Sequence, residues 1–191
     1  TELPLPIQAE LPEWIIERLH NSMPDADILA IGRAMQQPAP LDLRVNTVKT
    51  NREAVLARFA EDGIAAVPGT LSPMAVRLRE KPALAKHPLF LEGAFEVQDE
   101  GSQLLGYLLE PKRGEMVVDF CAGAGGKTLL LGALMKNTGR LYAFDVSDKR
   151  LANLKPRLAR SGLSNVHPAR IEHERDTKIK RLAGKVDRER A

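Results

Sequence analysis

The sequence predicts an α/β protein in two parts: a small mixed module, then a parallel sheet assembled from βαβ units. Three observations point there. From Glu115 onward, apolar strand-like runs alternate with helical stretches at the spacing of βαβ units. A glycine-rich turn, "CAGAGGKT" (Cys121 to Thr128), separates the first of those runs from a leucine-rich helix. The composition also shifts after Gly93, where Pro82 and Pro88 mark a linker, so the expected domains are residues 1–94 and 95–191.

Taken in order, "LPEWIIERLH" puts Leu11, Trp14, Ile15 and Leu19 on one helical face, and "ADILAIGRAMQQP" gives a second helix stopped by Pro38. "LDLRVNTVK" alternates Leu41, Leu43 and Val45 with polar residues, which is strand spacing. Its other face offers Arg44, Asn46 and Lys49. Asn51 is a natural N-cap for "REAVLARFAEDG", with Gly63 as terminator. "IAAVP" and "MAVRLR" supply two more short strands.

In the second part, "QDEGSQLLGYLLEP" is a helix ended by Pro111. Strand "EMVVDF", helix "KTLLLGALMK", strand "RLYAFDV", helix "SDKRLANLKPRLARSG" and strand "NVHPARI" follow, with a kink expected at Pro156. Residues 172–191 carry 12 charged side chains, so a solvated helix or frayed tail is expected there.

The 43% hydrophobic and 28% charged content is that of a globular chain with a packed core. A net charge of +3 admits an anionic partner without requiring one. Cys121 is the single cysteine, which excludes an intramolecular disulfide and points to a reducing compartment, read here as the cytoplasm. The sequence shows no membrane-length apolar run, and the four histidines do not cluster with acids at metal-ligand spacing.

The turn admits three readings. As a phosphate loop it has Gly126, Lys127 and Thr128 in place but Cys121 where the first glycine belongs. As a dinucleotide fingerprint it has Gly123 and Gly125, then Thr128 in place of the third glycine. As a site for S-adenosylmethionine it needs no phosphate cradle, only a turn of close approach and an acid at the end of the next strand for the ribose. Asp145 stands there, and Asp119 ends the first strand, near the cofactor's ammonium or bracing the loop.

Four blocks together, "LDLRVNTVKTNREAVLARF", "VQDEGSQLLGYLLEP", "VVDFCAGAGGKT" and "AFDVSDKRL", resemble the Sun/Fmu-type RNA cytosine-5 methyltransferases, in particular the branch acting on bacterial 16S ribosomal RNA. The resemblance runs from about Leu11 to Arg188 in the family's order. It implies a small RNA-recognition-like α/β domain followed by the first half of a Rossmann-like class I methyltransferase sheet. It implies that Cys121, Ala122, Gly123, Ala124, Gly125, Gly126 and Lys127 wrap S-adenosylmethionine, that Asp145 holds the ribose, and that Arg150 belongs to the cofactor side. Arg44, Asn46 and Lys49 become candidate RNA contacts, ribosomal RNA being the expected partner. The family places a proline where this sequence has Ala124, which should loosen the turn.

Methylating C5 of cytosine calls for a thiolate adding to C6, since C5 is a poor nucleophile. The family uses two cysteines on later segments, one in a D-A-P-C-S-G strand that would begin just after Arg188. Cys121 lies in the cofactor turn and is expected to pack it, so no catalytic residue is assigned. The chain is therefore expected to bind cofactor weakly, with Glu172 or Glu174 as the acid after the third strand, and to be inactive alone. It is also expected to leave an edge of "MVVDF" open to self-association. A non-catalytic RNA-binding module and a degenerate phosphate-loop protein are the alternatives.

Overall fold

The computed structural model describes residues 3–190. The chain divides into two compact units at Pro40.

The first unit holds three helices, α1 (Leu5–Ala9), α2 (Glu13–Leu19) and α3 (Asp25–Met35). Ala9, Leu11, Ile16 and Ile28 form its core, with Ile15 and Leu19 packed against them. A Cβ on Gly32 would stand 2.3 Å from the carbonyl oxygen of Ala9, so α3 crosses α1 through a glycine. Trp14 departs from the expected face: it is 60% exposed, and Ile16 takes the buried position. The Arg18 guanidinium lies 5.9 Å from the Trp14 ring centre, one helical turn on.

The second unit contains both sheets. The first is antiparallel, ordered β2-β3-β1-β4, from β1 (Leu41–Val45), β2 (Ala66–Pro68), β3 (Ala75–Leu78) and β4 (Phe95–Val97). Helix α4 (Arg52–Glu61) starts where Asn51 Oδ1 accepts the Ala54 N–H at 2.9 Å, the expected cap. Leu43, Val45, Val55, Phe59, Val76, Leu78 and Phe95 close this core. The supposed linker is folded: a short 3₁₀ turn at Leu84–Lys86 and α5 (Pro88–Leu91) bring the His87 ring edge-on to Phe59. The sheet also reaches past the expected boundary at 94/95, because β4 pairs with β1 in the register Val45↔Phe95. Three residues give too little periodicity to reveal such a strand.

The second sheet is parallel, ordered β7-β6-β5-β8. It is reached through α6 (Glu100–Leu109), capped by Asp99 Oδ1 on the Ser102 N–H. The succession is β5 (Met116–Asp119), α7 (Gly126–Leu134), β6 (Arg140–Asp145), α8 (Asp148–Ser161), β7 (Val166–Arg170), α9 (Thr177–Lys180) and β8 (Arg188–Arg190). Helix α8 opens on Ser147 and closes on Gly162 at φ 79°. It continues through Pro156, which removes one backbone donor without ending it.

Two expectations for the end of the chain are corrected. The edge of β5 is not open, because Val117, Val118 and Asp119 pair in parallel with Arg188, Glu189 and Arg190. Edge pairing uses only backbone groups, so a fully charged segment can serve. Arg188 anchors it, donating from Nε to Glu115 Oε2 and from Nη1 to the Leu109 carbonyl, each at 2.8 Å. The charged stretch is not a solvated helix either: Ile179, Leu182 and Val186 lie against Val118, Phe144 and Ile171. Among the described residues, no helix is long and apolar enough to cross a membrane.

Candidate functional site

The end of β5, the glycine turn and the end of β6 form one hydrogen-bonded unit. Gly123 sits at φ 54° and Gly125 at φ 85°, a region that costs side-chain-bearing residues strain. The Gly125 N–H closes the turn on the Ala122 carbonyl at 2.8 Å, and Ala122 N–H is held by the Phe144 carbonyl at 2.9 Å. A Cβ on Gly125 would fall 2.1 Å from Leu154 Cδ1, so the turn is pressed onto α8. At Gly123 the nearest atom to such a Cβ is Asp145 Oδ2, 4.0 Å away, so glycine leaves the approach to that carboxylate open.

Asp145 is only 3% exposed. Its Oδ2 accepts the Gly123 N–H at 2.9 Å and its Oδ1 the Ser147 N–H at 2.8 Å, joining the turn to the start of α8. Fully buried Asp119 accepts from Thr128 Oγ at 2.7 Å, bracing the end of β5 against the first turn of α7. The sequence leaves two roles open to Asp119, beside the cofactor's ammonium or bracing the loop, and this bond is of the second kind.

Supports also reach the turn from the first sheet. Arg157 on α8 donates from Nη1 to the Ala124 carbonyl at 2.8 Å and from Nε to Glu96 Oε2 at 2.9 Å. Glu96, on β4 and 5% exposed, binds Arg160 Nη2 through its other oxygen at 2.8 Å. Arg44 on β1 donates from Nε to Gln98 Oε1 at 2.6 Å, and its Nη2 lies 3.5 Å from the Gly126 carbonyl. Burial pulls the Arg44 guanidinium down to about 10, with Glu96 working in the opposite direction. Beside the turn is a cavity of about 250 Å³, lined by Gln98, Asp99, Cys121, Gly126, Lys127 and Arg157 among others.

The structure thus brings the segment Cys121 to Lys127 together with Asp145. Arg150 is exposed on the first turn of α8, where Ser147 Oγ caps its backbone N–H. Cys121 is exposed, not packed inside the turn as expected. Arg44 and Asn46 do not occupy a solvated strand face: they are 2% and 5% exposed. Asn46 Nδ2 donates to the Gly93 and Ser161 carbonyls at 2.9 and 2.8 Å, tying β1 to the end of α8. Alternation of polar and apolar residues cannot separate a face that meets water from one that meets a polar interface. Of the three residues, Lys49 alone is exposed, with its ammonium on the Glu92 carbonyl. Sequence reasoning missed Glu96, Gln98 and Arg157; the one available signal was that Arg157 lies seven residues after Arg150, two turns on along the same face of α8.

Residues 11–85 match the family model of the ferredoxin-like domain of RsmF/B-like methyltransferases, and residues 106–189 match that of 16S rRNA methyltransferase RsmB/F. A probable ribosomal RNA small subunit methyltransferase B of Bacillus subtilis is 33% identical over 156 residues, covering 82% of this chain and 35% of the relative. A mouse 28S rRNA (cytosine-C(5))-methyltransferase is 37% identical over 151 residues, covering 70% of this chain and 32% of the relative. A methyltransferase homolog protein from Pyrococcus horikoshii superposes with a TM-score of 0.77 at 29% identity, over 88% of this chain and 55% of the other. NSun6 from the same organism gives 0.81 at 18% identity, over 93% of this chain and 69% of that one, a likeness of fold. The chain spans about a third of the length of these curated relatives. On its two matched segments and its glycine turn, it belongs to the RsmB/F family of methyltransferases.

Proposed function

We propose that this chain is the RNA-recognition-like and cofactor-holding part of a cytoplasmic enzyme that methylates C5 of cytosine in ribosomal RNA, with S-adenosylmethionine as the methyl donor. The observation that carries the cofactor is the Asp145 carboxylate, fixed against the glycine turn yet reachable past Gly123. A buried acid at the end of the second strand suits a pair of ribose hydroxyls; a phosphate would be repelled there. The segment Cys121 to Lys127 would carry the methionyl part, with Arg150 at the rim. When bound, the cofactor supplies an electrophilic methyl group; this chain's residues bind and orient it.

Within this reading Cys121 is not the thiolate that attacks C6. It stands on the cofactor turn itself, between Phe120 and the Ala122 amide that the Phe144 carbonyl fixes, so no residue of this chain is assigned to covalent catalysis. The functional division falls between a first domain at residues 1–94, extended by the pairing of β4, and the methyltransferase domain that follows. Buried Arg44 and Asn46 would serve RNA by holding the first sheet against α7 and α8; Lys49 is the exposed member of that set and would meet a phosphate.

Calorimetric titration with S-adenosylmethionine and with ATP tests the reading. S-adenosylmethionine should bind, Asp145→Asn should abolish the heat, and ATP should give none. ATP binding that depends on Lys127, with no response to S-adenosylmethionine, would overturn it in favour of a phosphate loop.

A further inference from the structure

Ala124 stands between Gly123 at φ 54° and Gly125 at φ 85°, so the peptide joining Ala124 to Gly125 has little conformational restraint of its own. A trans peptide points its C=O and N–H in opposite directions, and here each end is tied down. The Gly125 N–H faces into the turn, to the Ala122 carbonyl at 2.8 Å. The Ala124 carbonyl faces outward, where Arg157 Nη1 donates to it at 2.8 Å. Gly123, whose N–H meets Asp145 Oδ2 at 2.9 Å, is one residue back. The plane of the Ala124–Gly125 peptide therefore sets how the turn is presented beside the Asp145 carboxylate.

What holds Arg157 lies in the first sheet. Its Nε donates to Glu96 Oε2 at 2.9 Å, while Arg160 Nη2 donates to the other oxygen at 2.8 Å. Arg44 is the cross-strand partner of Glu96 and feels the charge of both Glu96 and Arg157. Three guanidinium groups thus gather around one buried carboxylate. Without that charge they would repel one another with little water to screen them. The Arg157 and Arg160 side chains are 19% and 20% exposed, so these two can move out. They share one partner and one degree of burial but differ in reach. Arg157 goes on to the turn, whereas the Arg160 guanidinium lies 4.4 Å from the Phe90 ring centre.

We propose that Arg157 is a positioning residue for the cofactor: held by Glu96 of the first sheet, it fixes the plane of the Ala124–Gly125 peptide and so the fit of the turn to S-adenosylmethionine. The proposal rests on the cofactor reading above. It adds a residue that acts through the backbone of the turn, and it makes cofactor affinity depend on a carboxylate of the RNA-recognition-like sheet.

The test compares Arg157→Met with Arg160→Met in the full chain, since methionine keeps most of the packing stem and removes the donors. Both variants lose a bond to Glu96, so both should lower the urea midpoint. In calorimetric titration with S-adenosylmethionine, Arg157→Met should lose about tenfold in affinity and Arg160→Met nothing. Hydrogen exchange without ligand should quicken at the Gly125 amide in the first variant and not in the second. Glu96→Gln is the second route to the same effect: it should weaken the cofactor as Arg157→Met does, and combining the two should add little. An affinity unchanged in Arg157→Met, or an equal loss in both methionine variants, overturns the positioning role and leaves the cofactor reading intact. An unsubstituted chain that gives no heat with S-adenosylmethionine overturns the cofactor reading and the role of Arg157 with it.

Discussion

The two faces of the parallel sheet are built from the same strands and are covered very differently. On one face Val117, Leu141, Ala143 and Val166 meet Leu129 and Leu131 of α7, Met135 at its C-terminal cap, and Leu151 and Leu154 of α8, all buried. On the other face Val118, Phe144 and Ile171, with Phe120, Tyr142 and Ala169 beside them, are covered by the partly buried Ile179, Leu182 and Val186, and a space of about 460 Å³ lies among them. Strand side chains alternate with period two, so both faces are apolar by construction, but only one has whole helices laid on it. The glycine turn takes its shape from the filled face: Gly125 is pressed onto Leu154, and α8 also supplies Arg157. The candidate site is therefore anchored to the filled face, where close packing makes a small displacement expensive.

The largest expected effect follows from that. Leu131 is fully buried on the filled face. Leu131→Ala should cost about 2–5 kcal/mol by urea denaturation, through lost burial and the cavity left behind. A cost near zero would mean that the filled face is not the stabilising one.

Gly93 sharpens the comparison where the first sheet meets α8. It holds φ 73°, and a Cβ there would stand 2.0 Å from the Arg160 carbonyl oxygen. Gly63 holds φ 71° with nothing within 4 Å. Both alanine variants should lose about 1–2 kcal/mol to the left-handed backbone, and Gly93→Ala a further 1–3 kcal/mol to overpacking. Equal losses in urea would show that the contact with α8 yields freely.

Acid should act where the first sheet meets α6. Arg77, bonded to both oxygens of Asp42 at 2.7 and 2.9 Å, holds that carboxyl below the usual carboxylate range, with the Glu100 N–H assisting against the cost of burial. A depressed acid contributes stability that is complete above its unfolded pKa, about 3.9, and is lost as pH falls through the lower folded value. Asp42→Asn should therefore cost about 1–3 kcal/mol at pH 6, and the gap to the unsubstituted chain should narrow below pH 4. A gap that stays constant with pH would remove the ion pair as its cause.

Much of this was legible in the sequence, and for definite reasons. Asn51 and Ser147 announce helix starts because a side-chain oxygen before a periodic apolar run satisfies amides the helix cannot. Gly123, Gly125 and Asp145 were legible because backbone approach and a strand-end acid leave few residue choices. What escaped was held by long-range polar burial. Arg44, Glu96 and Gln98 look like surface residues along the chain, and only the docking of the first sheet on α8 and the start of α7 makes them interior. Strand β8 escaped because its pairing is written in backbone groups, which no side-chain pattern reports.

The smallest effect belongs to the thin face and tests the comparison most directly. Leu182 is partly buried against Val118 and Phe144, and it borders the open space of about 460 Å³. Replacing it with alanine enlarges a void that water already reaches, so the cavity penalty that makes Leu131→Ala expensive is largely missing. The expected loss is about 1 kcal/mol or less, and it should be local. Hydrogen exchange should quicken at the amides of β8, at the border of that face, and stay slow at Leu141 and Ala143. If Leu182→Ala instead matched Leu131→Ala, and exchange rose equally in β6 and β8, the two faces would be one cooperative core. The glycine turn would then depend on α9 and β8 as much as on α8.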